Sequence, residues 1–250
     1  MRDSPIVVTL DLDWACEAAI VDVLDWLHDA GIPVTVFTTH HSAAVASQMD
    51  ELEVGLHPFF APDSSHGSST AEVVRHVLDL PHNIPAFRCH RFAVSNEARQ
   101  AMSAVGMTIS SNVCTDLECV APFRDRFGML EVPIFLEDGG YLYRGHSLDS
   151  VARVIDLAHR PGPKVVVVHP MHFAVNTPRF DYMMAIKSSV SRGSWRELAD
   201  SSLAALRWRG RGVRDFLCDF LQEALKRGGE FIRIGDLARR YGERSEHPAG

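Results

Sequence analysis

The chain has 250 residues, 46% of them hydrophobic, and a formal net charge of −7. That length and apolar content suit a single domain with one sizeable core, expected over 1–243 with a disordered tail at 244–250. The acidic balance excludes a general nucleic-acid binder despite the basic stretch 207–214, and the lack of a bilayer-length apolar run or a signal-peptide core predicts a cytoplasmic protein with no membrane partner.

The first element is also the most informative. Ile6-Val7-Val8-Thr9-Leu10 reads as a strand buried on both faces, and it runs into Asp11 and Asp13. Open sheets and βα barrels place their chemistry at the carboxyl ends of strands, and alternation would set both carboxylates on one face. The competing explanation is that either acid only caps the helix that follows. That helix, over 18–30, carries Ile20, Val21, Val23, Leu24 and Leu27 on a broad inner face and stops at Gly31, before Pro33 opens a second strand at 34–38. Strands at 52–56, 86–87, 108–109, 130–135 and 164–168 alternate with helices at 70–80, 96–105 and 148–159. This is the βαβ grammar of a parallel sheet, with six or seven strands. Beyond 176–194, to which no element is assigned, helices at 195–207 and 214–227 precede a final strand at 230–234. The five cysteines lack a CxxC pair, so they read as small core residues rather than a disulfide framework or a thiolate zinc site.

Ionisable groups gather at the expected strand ends. Asp11 and Asp13 close the first, Thr39-His40-His41 the second, His57 the third, and Arg88 with His90 the fourth, while Glu137 with Asp138 and His169 with His172 close later ones. In a barrel these ends converge on one face. One histidine so placed is more often a hydrogen-bonded structural residue, so the weight lies in the combination. Imidazoles and carboxylates without thiolates suit Zn²⁺, with Co²⁺, Ni²⁺ or Mn²⁺ as alternatives. Such an ion lowers the pKa of its water and polarises a carbonyl, which brings amide or ester hydrolysis within reach at neutral pH. One carboxylate can then take the proton of the water, a histidine opposite can protonate the leaving amine, and an arginine can orient the base.

The order of these motifs resembles the polysaccharide deacetylases of the NodB homology type, carbohydrate esterase family four. Thr9-Leu10-Asp11-Leu12-Asp13 is similar to the family's first motif with one residue inserted between the acids. Gly31-Ile32-Pro33-Val34-Thr35-Val36-Phe37 resembles its second strand, Glu53-Val54-Gly55-Leu56-His57 the approach to its metal histidine, Phe87-Arg88 its arginine motif, and the stretch from Val165 to His169 its last strand. The resemblance implies an α/β fold, an incomplete seven-stranded (β/α) barrel with extra C-terminal helices, and metal-dependent removal of an acyl group, usually acetyl from an amino sugar. By position it implies Asp11 as general base, Asp13 and His57 as metal ligands, Arg88 as the residue that orients the base, and His169 as general acid.

Two departures matter. The family's second metal histidine falls four residues after the first, where this chain has Ala61, and its arginine motif continues with proline and an aromatic residue, where this chain has Cys89-His90-Arg91. The third ligand must come from elsewhere, from His66 in the polar loop 62–67 or from His90, which otherwise joins the catalytic set. His57-Pro58, Ser65-His66-Gly67, Arg88-Cys89-His90, Glu137-Asp138 and His169-Pro170-Met171-His172 together resemble the divergent WbmS-like subgroup. Trp14, Phe59, Asp138 and His172 are expected to meet substrate, with Phe60, Phe173 and Tyr141 as further wall candidates. Glu137 and Asp138 could instead orient His169 or His172 through a hydrogen bond. Met183-Met184 and the face formed by Phe216, Leu217, Phe220 and Leu221 read as packing. The expected function is deacetylation of a saccharide or sugar-like small molecule. Its rivals are an amidase of the same barrel acting on a non-sugar amide, and a degenerate barrel that binds a glycan or partner without turnover. Residues 195–234 could cover the barrel or form a homodimer contact.

Overall fold

The computed structural model describes residues 4–246. Nine strands form one sheet: β1 (Ile6–Asp11), β2 (Val34–Thr38), β3 (Glu53–Leu56), β4 (Ala86–Phe87), β5 (Ile109–Ser110), β6 (Phe123–Arg124), β7 (Leu130–Glu131), β8 (Ile134–Glu137) and β9 (Lys164–Val168). Their order is β6-β7-β5-β4-β3-β2-β1-β9-β8, and every pair is parallel except β6 with β7. The helices are α1 (Glu17–Asp29), α2 (Ala43–Ala46), α3 (Thr70–Leu78), α4 (Asn96–Ala104), α5 (Asp138–Tyr143), α6 (Val151–Ala158), α7 (Pro170–Ala174), α8 (Phe180–Ser189), α9 (Arg192–Arg196), α10 (Asp200–Leu206), α11 (Val213–Lys226) and α12 (Ile234–Glu246).

Alternation along β1 divides the core. Ile6, Val8 and Leu10 face the outer helices with Ile20, Val23, Leu24 and Leu27 of α1, whereas Val7 faces inward with Phe37, Ala86, Val165 and Val167. Asp11 follows the inward phase. The stretch expected as one strand at 130–135 is two strands toward opposite ends of the sheet: β7 pairs with β5 and β6, and after Val132-Pro133 the chain becomes β8 and pairs with β9. A bridge between Cys114 and Ile134 joins the edges, so the sheet curls into an incomplete barrel. A bulge between Ile134 and Leu136 then puts both Phe135 and Leu136 against the helices and leaves Glu137 inward.

The C-terminal third differs most from expectation. The predicted strand at 230–234 shrinks to one bridge between Ile6 and Phe231. Glu53 accepts the Gly235 amide at 2.9 Å and Thr35 Oγ1 accepts the Ile234 amide at 3.1 Å, which starts α12 at the point where a strand would have continued. Ile232, Ile234 and Leu237 plug the amino end of the barrel. Residues 244–246 continue α12, and the rest of the expected tail lies outside the described residues. The segment 176–194 contains α8, whose apolar signal is weak because only Met183 and Ile186 are buried and Met184 is half exposed. The expected helix at 195–207 is divided into α9 and α10, with Ser191 capping α9 and so starting it earlier. Of the cysteines, Cys16 and Cys89 are buried core residues, while Cys114 is exposed. Phe173 and Tyr141 belong to the core, Tyr141 stacked on Phe216 at 4.5 Å, and do not wall a cleft.

Candidate active site

Arg88 follows the short β4 into the barrel and is completely buried. Its Nη1 donates to Asp11 Oδ1 and to Thr9 Oγ1, both at 2.7 Å, its Nε and Nη2 donate to the carbonyl and hydroxyl of Ser111 at 3.0 and 2.9 Å, and the guanidinium lies 4.5 Å from the Phe37 ring. A buried ion pair is tolerated when its remaining donors are satisfied, and losing one partner costs about 3–5 kcal/mol. The pair thus holds the Asp11 carboxylate in one orientation. Its free oxygen, Oδ2, lies 4.0 Å from His57 Nε2.

Asp13 reaches the same place by a different route from the one alternation suggests. The strand ends at Asp11, and the chain turns through left-handed conformations at Asp13 (φ 47) and Trp14 (φ 56), held by the Trp14 amide on Thr39 Oγ1. Residues other than glycine adopt this region at a cost of about 1–2 kcal/mol, so packing must hold the turn. His90 enters from a second such turn, at Arg91 (φ 57) and Phe92 (φ 54). His57 Nε2 and His90 Nδ1 meet Asp13 Oδ1 at 3.1 and 2.8 Å. Burial would raise the Asp13 carboxyl, but His169, His57 and His90 around it hold it well below the usual carboxylate range. Two imidazole nitrogens and one carboxylate oxygen within 4.8 Å of one another form a donor set that fits a borderline divalent ion.

His169 stands on the other side of Asp13, its Nε2 3.7 Å from Asp13 Oδ2. Asp138 fixes it from behind: Oδ1 accepts from Nδ1 at 2.5 Å and Oδ2 accepts the His169 amide at 2.8 Å. Burial alone would lower the imidazole pKa. Asp138, Asp13 and Glu137 reverse this and push it well above the ordinary value, which favours the protonated imidazolium. Glu137 caps α5 through the Gly139 and Gly140 amides, and burial pushes its carboxyl up to about 7. Asp138 is fully buried with both oxygens engaged, so the expectation that it touches substrate gives way to the alternative, that it orients His169.

His66 does not join the Asp13 group. Its Nδ1 accepts the Phe59 amide at 3.2 Å and its Nε2 donates to the Thr39 carbonyl at 2.9 Å, which leaves no lone pair for an ion and pins the neutral tautomer. Burial lowers its pKa to about 4. Between the two candidates for the third ligand, the geometry brings His90 to Asp13 and His57. His172 is buried, bonds Thr177 Oγ1 at 3.1 Å, and borders a recess of about 20 Å³ with Leu12, Asp13, His169, Met171, Met183 and Trp195. Trp14 and Phe59 flank His90, with ring centroids 5.1 and 4.8 Å away, and both line an open cleft of about 590 Å³. Lys187, Trp195 and Arg196 complete that cleft from α8 and α9. No sequence motif marks these three, since only the return of the chain after β9 brings them over the strand ends. Arg91 also lines the cleft, and its signal was adjacency to His90.

A family model described as WbmS-like polysaccharide deacetylase matches residues 8–187. Among solved structures, one from Bordetella bronchiseptica, described as a polysaccharide deacetylase involved in O-antigen biosynthesis, superposes with a TM-score of 0.76 at 24% identity, covering 88% of this chain and 91% of that one. A second, described as a polysaccharide deacetylase from Mycobacterium smegmatis, gives 0.56 at 13% identity over 97% of this chain and 92% of that one. At these identities the likeness is one of fold. No match was found among curated proteins.

Proposed function

The chain belongs to the WbmS-like polysaccharide deacetylase family, and from that premise we propose that it is a metal-dependent hydrolase that removes an N-acetyl group from an amino sugar or sugar-like small molecule. The observation that carries this reading is the convergence of Asp13, His57 and His90 on one point, with Asp11 and His169 beside it. We take the barrel and the helices that follow it as one catalytic domain.

Asp13, His57 and His90 would hold the ion, zinc being the best chemical match for two nitrogens and one oxygen. When bound, such an ion polarises the amide carbonyl and makes water more acidic. Asp11 takes the proton of the attacking water through Oδ2, the oxygen left free by Arg88. Arg88 keeps that carboxylate from rotating. His169, whose protonated form Asp138 favours, gives the Nε2 proton to the departing amine. The recess beside His172 admits about one group of methyl size, which favours acetyl over longer acyl groups. Trp14, Phe59 and Trp195 offer faces for a sugar ring. Among the described residues no helix is long and apolar enough to cross a membrane, in keeping with a substrate met in the aqueous phase.

Elemental analysis of the purified protein, followed by an acetate-release assay on N-acetylglucosamine and nucleotide-linked N-acetyl sugars with and without chelator, tests this reading. Stoichiometric metal with chelator-sensitive acetate release is expected. Metal without acetate from any sugar would move the assignment to another amide. Failure to take up any divalent ion would end the hydrolase reading.

A further inference from the structure

The cleft beside the proposed metal centre carries three cations from three different elements: Arg91 in the turn after β4, Lys187 on α8 and Arg196 on α9. In a chain of net charge −7 most arginines near acidic neighbours are paired, as Arg207, Arg211, Arg214 and Arg240 are. Among the described residues Arg91, Lys187 and Arg196 have no ion-pair partner. Arg91 instead lies 5.3 Å from the Phe59 ring and Lys187 6.0 Å from the Trp195 ring, contacts that place the charges along the cleft wall without neutralising them. The acidic groups on the same cleft are Asp13, which is surrounded by His57, His90 and His169, and the exposed Asp63. One exposed carboxylate faces three cations.

Their position relative to the chemistry is specific. Arg91 is the residue next to His90, and the left-handed turn that sends the imidazole to Asp13 sends the guanidinium into the cleft. Lys187 borders both the open cleft and the small recess that holds His169 and His172. A ligand spanning from recess to cleft would therefore pass from the acid residue to uncompensated positive charge within its own length. We propose that the substrate is an anionic amino sugar, one whose N-acetylated ring carries a phosphate or carboxylate that Arg91, Lys187 and Arg196 bind in this cleft. The inference rests on the deacetylase reading for its amide, and on the cations alone for its charge.

The experiment compares N-acetylglucosamine, N-acetylglucosamine 1-phosphate, its uridine diphosphate conjugate and the corresponding uronic acid. Binding is read by calorimetry and turnover by acetate release on the metal-loaded protein. At least one charged sugar should bind about tenfold more tightly than the neutral one, with the preference shrinking as salt is raised. Arg91→Gln combined with Lys187→Gln should reduce the ratio of charged to neutral affinity toward one. The phosphate and uronate arms separate the two sources of the anion. Equal affinity for charged and neutral sugars, or a preference that survives both substitutions, would overturn the proposal. Charge-selective binding with no acetate from any probe would leave the anion site standing and remove the deacetylase assignment, whereas equal acetate release from charged and neutral sugars would do the reverse.

Discussion

At the scale of single residues, the site is a set of side chains whose unused atoms point to one place. Asp11 gives one oxygen to Arg88 and leaves the other free, so if it is the base as proposed, Asp11→Asn should lower kcat for acetate release by about 10²–10⁴ while metal content stays at the wild-type level. Near-normal turnover in that variant would show that the base lies elsewhere. The contrast between His90 and His66 is as sharp, because one imidazole meets Asp13 and the other has spent both nitrogens on backbone. His90→Ala should lose most of the divalent-ion affinity measured by competition with a chromogenic chelator, and His66→Ala should retain it. The reverse order would exchange the two assignments. The sequence supplied both histidines as candidates and had no means of choosing. That choice depends on where the loop between β3 and α3 folds and on the Thr39 carbonyl, which is remote in sequence.

At the scale of elements, the decisive features are places where a strand departs from regularity. The bulge at Ile134/Leu136 turns Glu137 inward, and α5 then starts at Asp138 with its carboxylate behind His169. Asp138→Asn keeps the shape and removes the charge that raises the His169 pKa, so kcat should fall by about 10²–10⁴ with the metal retained, and the alkaline limb of the kcat profile, where the acid is lost, should move to lower pH. An unchanged pH profile would mean that Asp138 serves packing alone. The run 130–135 is mostly apolar, and a pattern of burial cannot reveal that its two halves pair at opposite ends of the sheet. The Ile6–Asp11 and Lys164–Val168 strands, by contrast, were legible, because a strand buried on both faces leaves a continuous aliphatic run.

At the scale of the whole molecule, burial of neutral imidazoles sets the response to acid. Burial lowers His40, His66 and His172 to about 4 from an ordinary 6.5, so below pH 6.5 the unfolded chain binds protons that the fold refuses, and stability is lost as pH falls from 6.5 toward 4. Glu137, raised to about 7 by burial, acts in the opposite direction between 7 and 4.5, and one carboxyl opposes three imidazoles. His169, raised above its ordinary value, keeps its stabilisation throughout this acid window. Thermal melts should therefore show a midpoint that declines over this range, and His66→Gln should make the decline shallower. A midpoint that rises toward pH 5 would contradict the buried neutral state.

The sequence by itself determined the parallel α/β fold, the family, and the presence of ionisable residues at the ends of β1, β3, β4 and β9, because aliphatic runs and the order of ionisable residues are local properties of the chain. The tertiary structure decided which histidine stands with Asp13 and His57, what Asp138 holds, how the sheet closes, and that α8 and α9 bring Lys187, Trp195 and Arg196 over the strand ends. Each of those depends on contacts between segments tens of residues apart, whose geometry is set by closure of the barrel and not by any spacing along the chain.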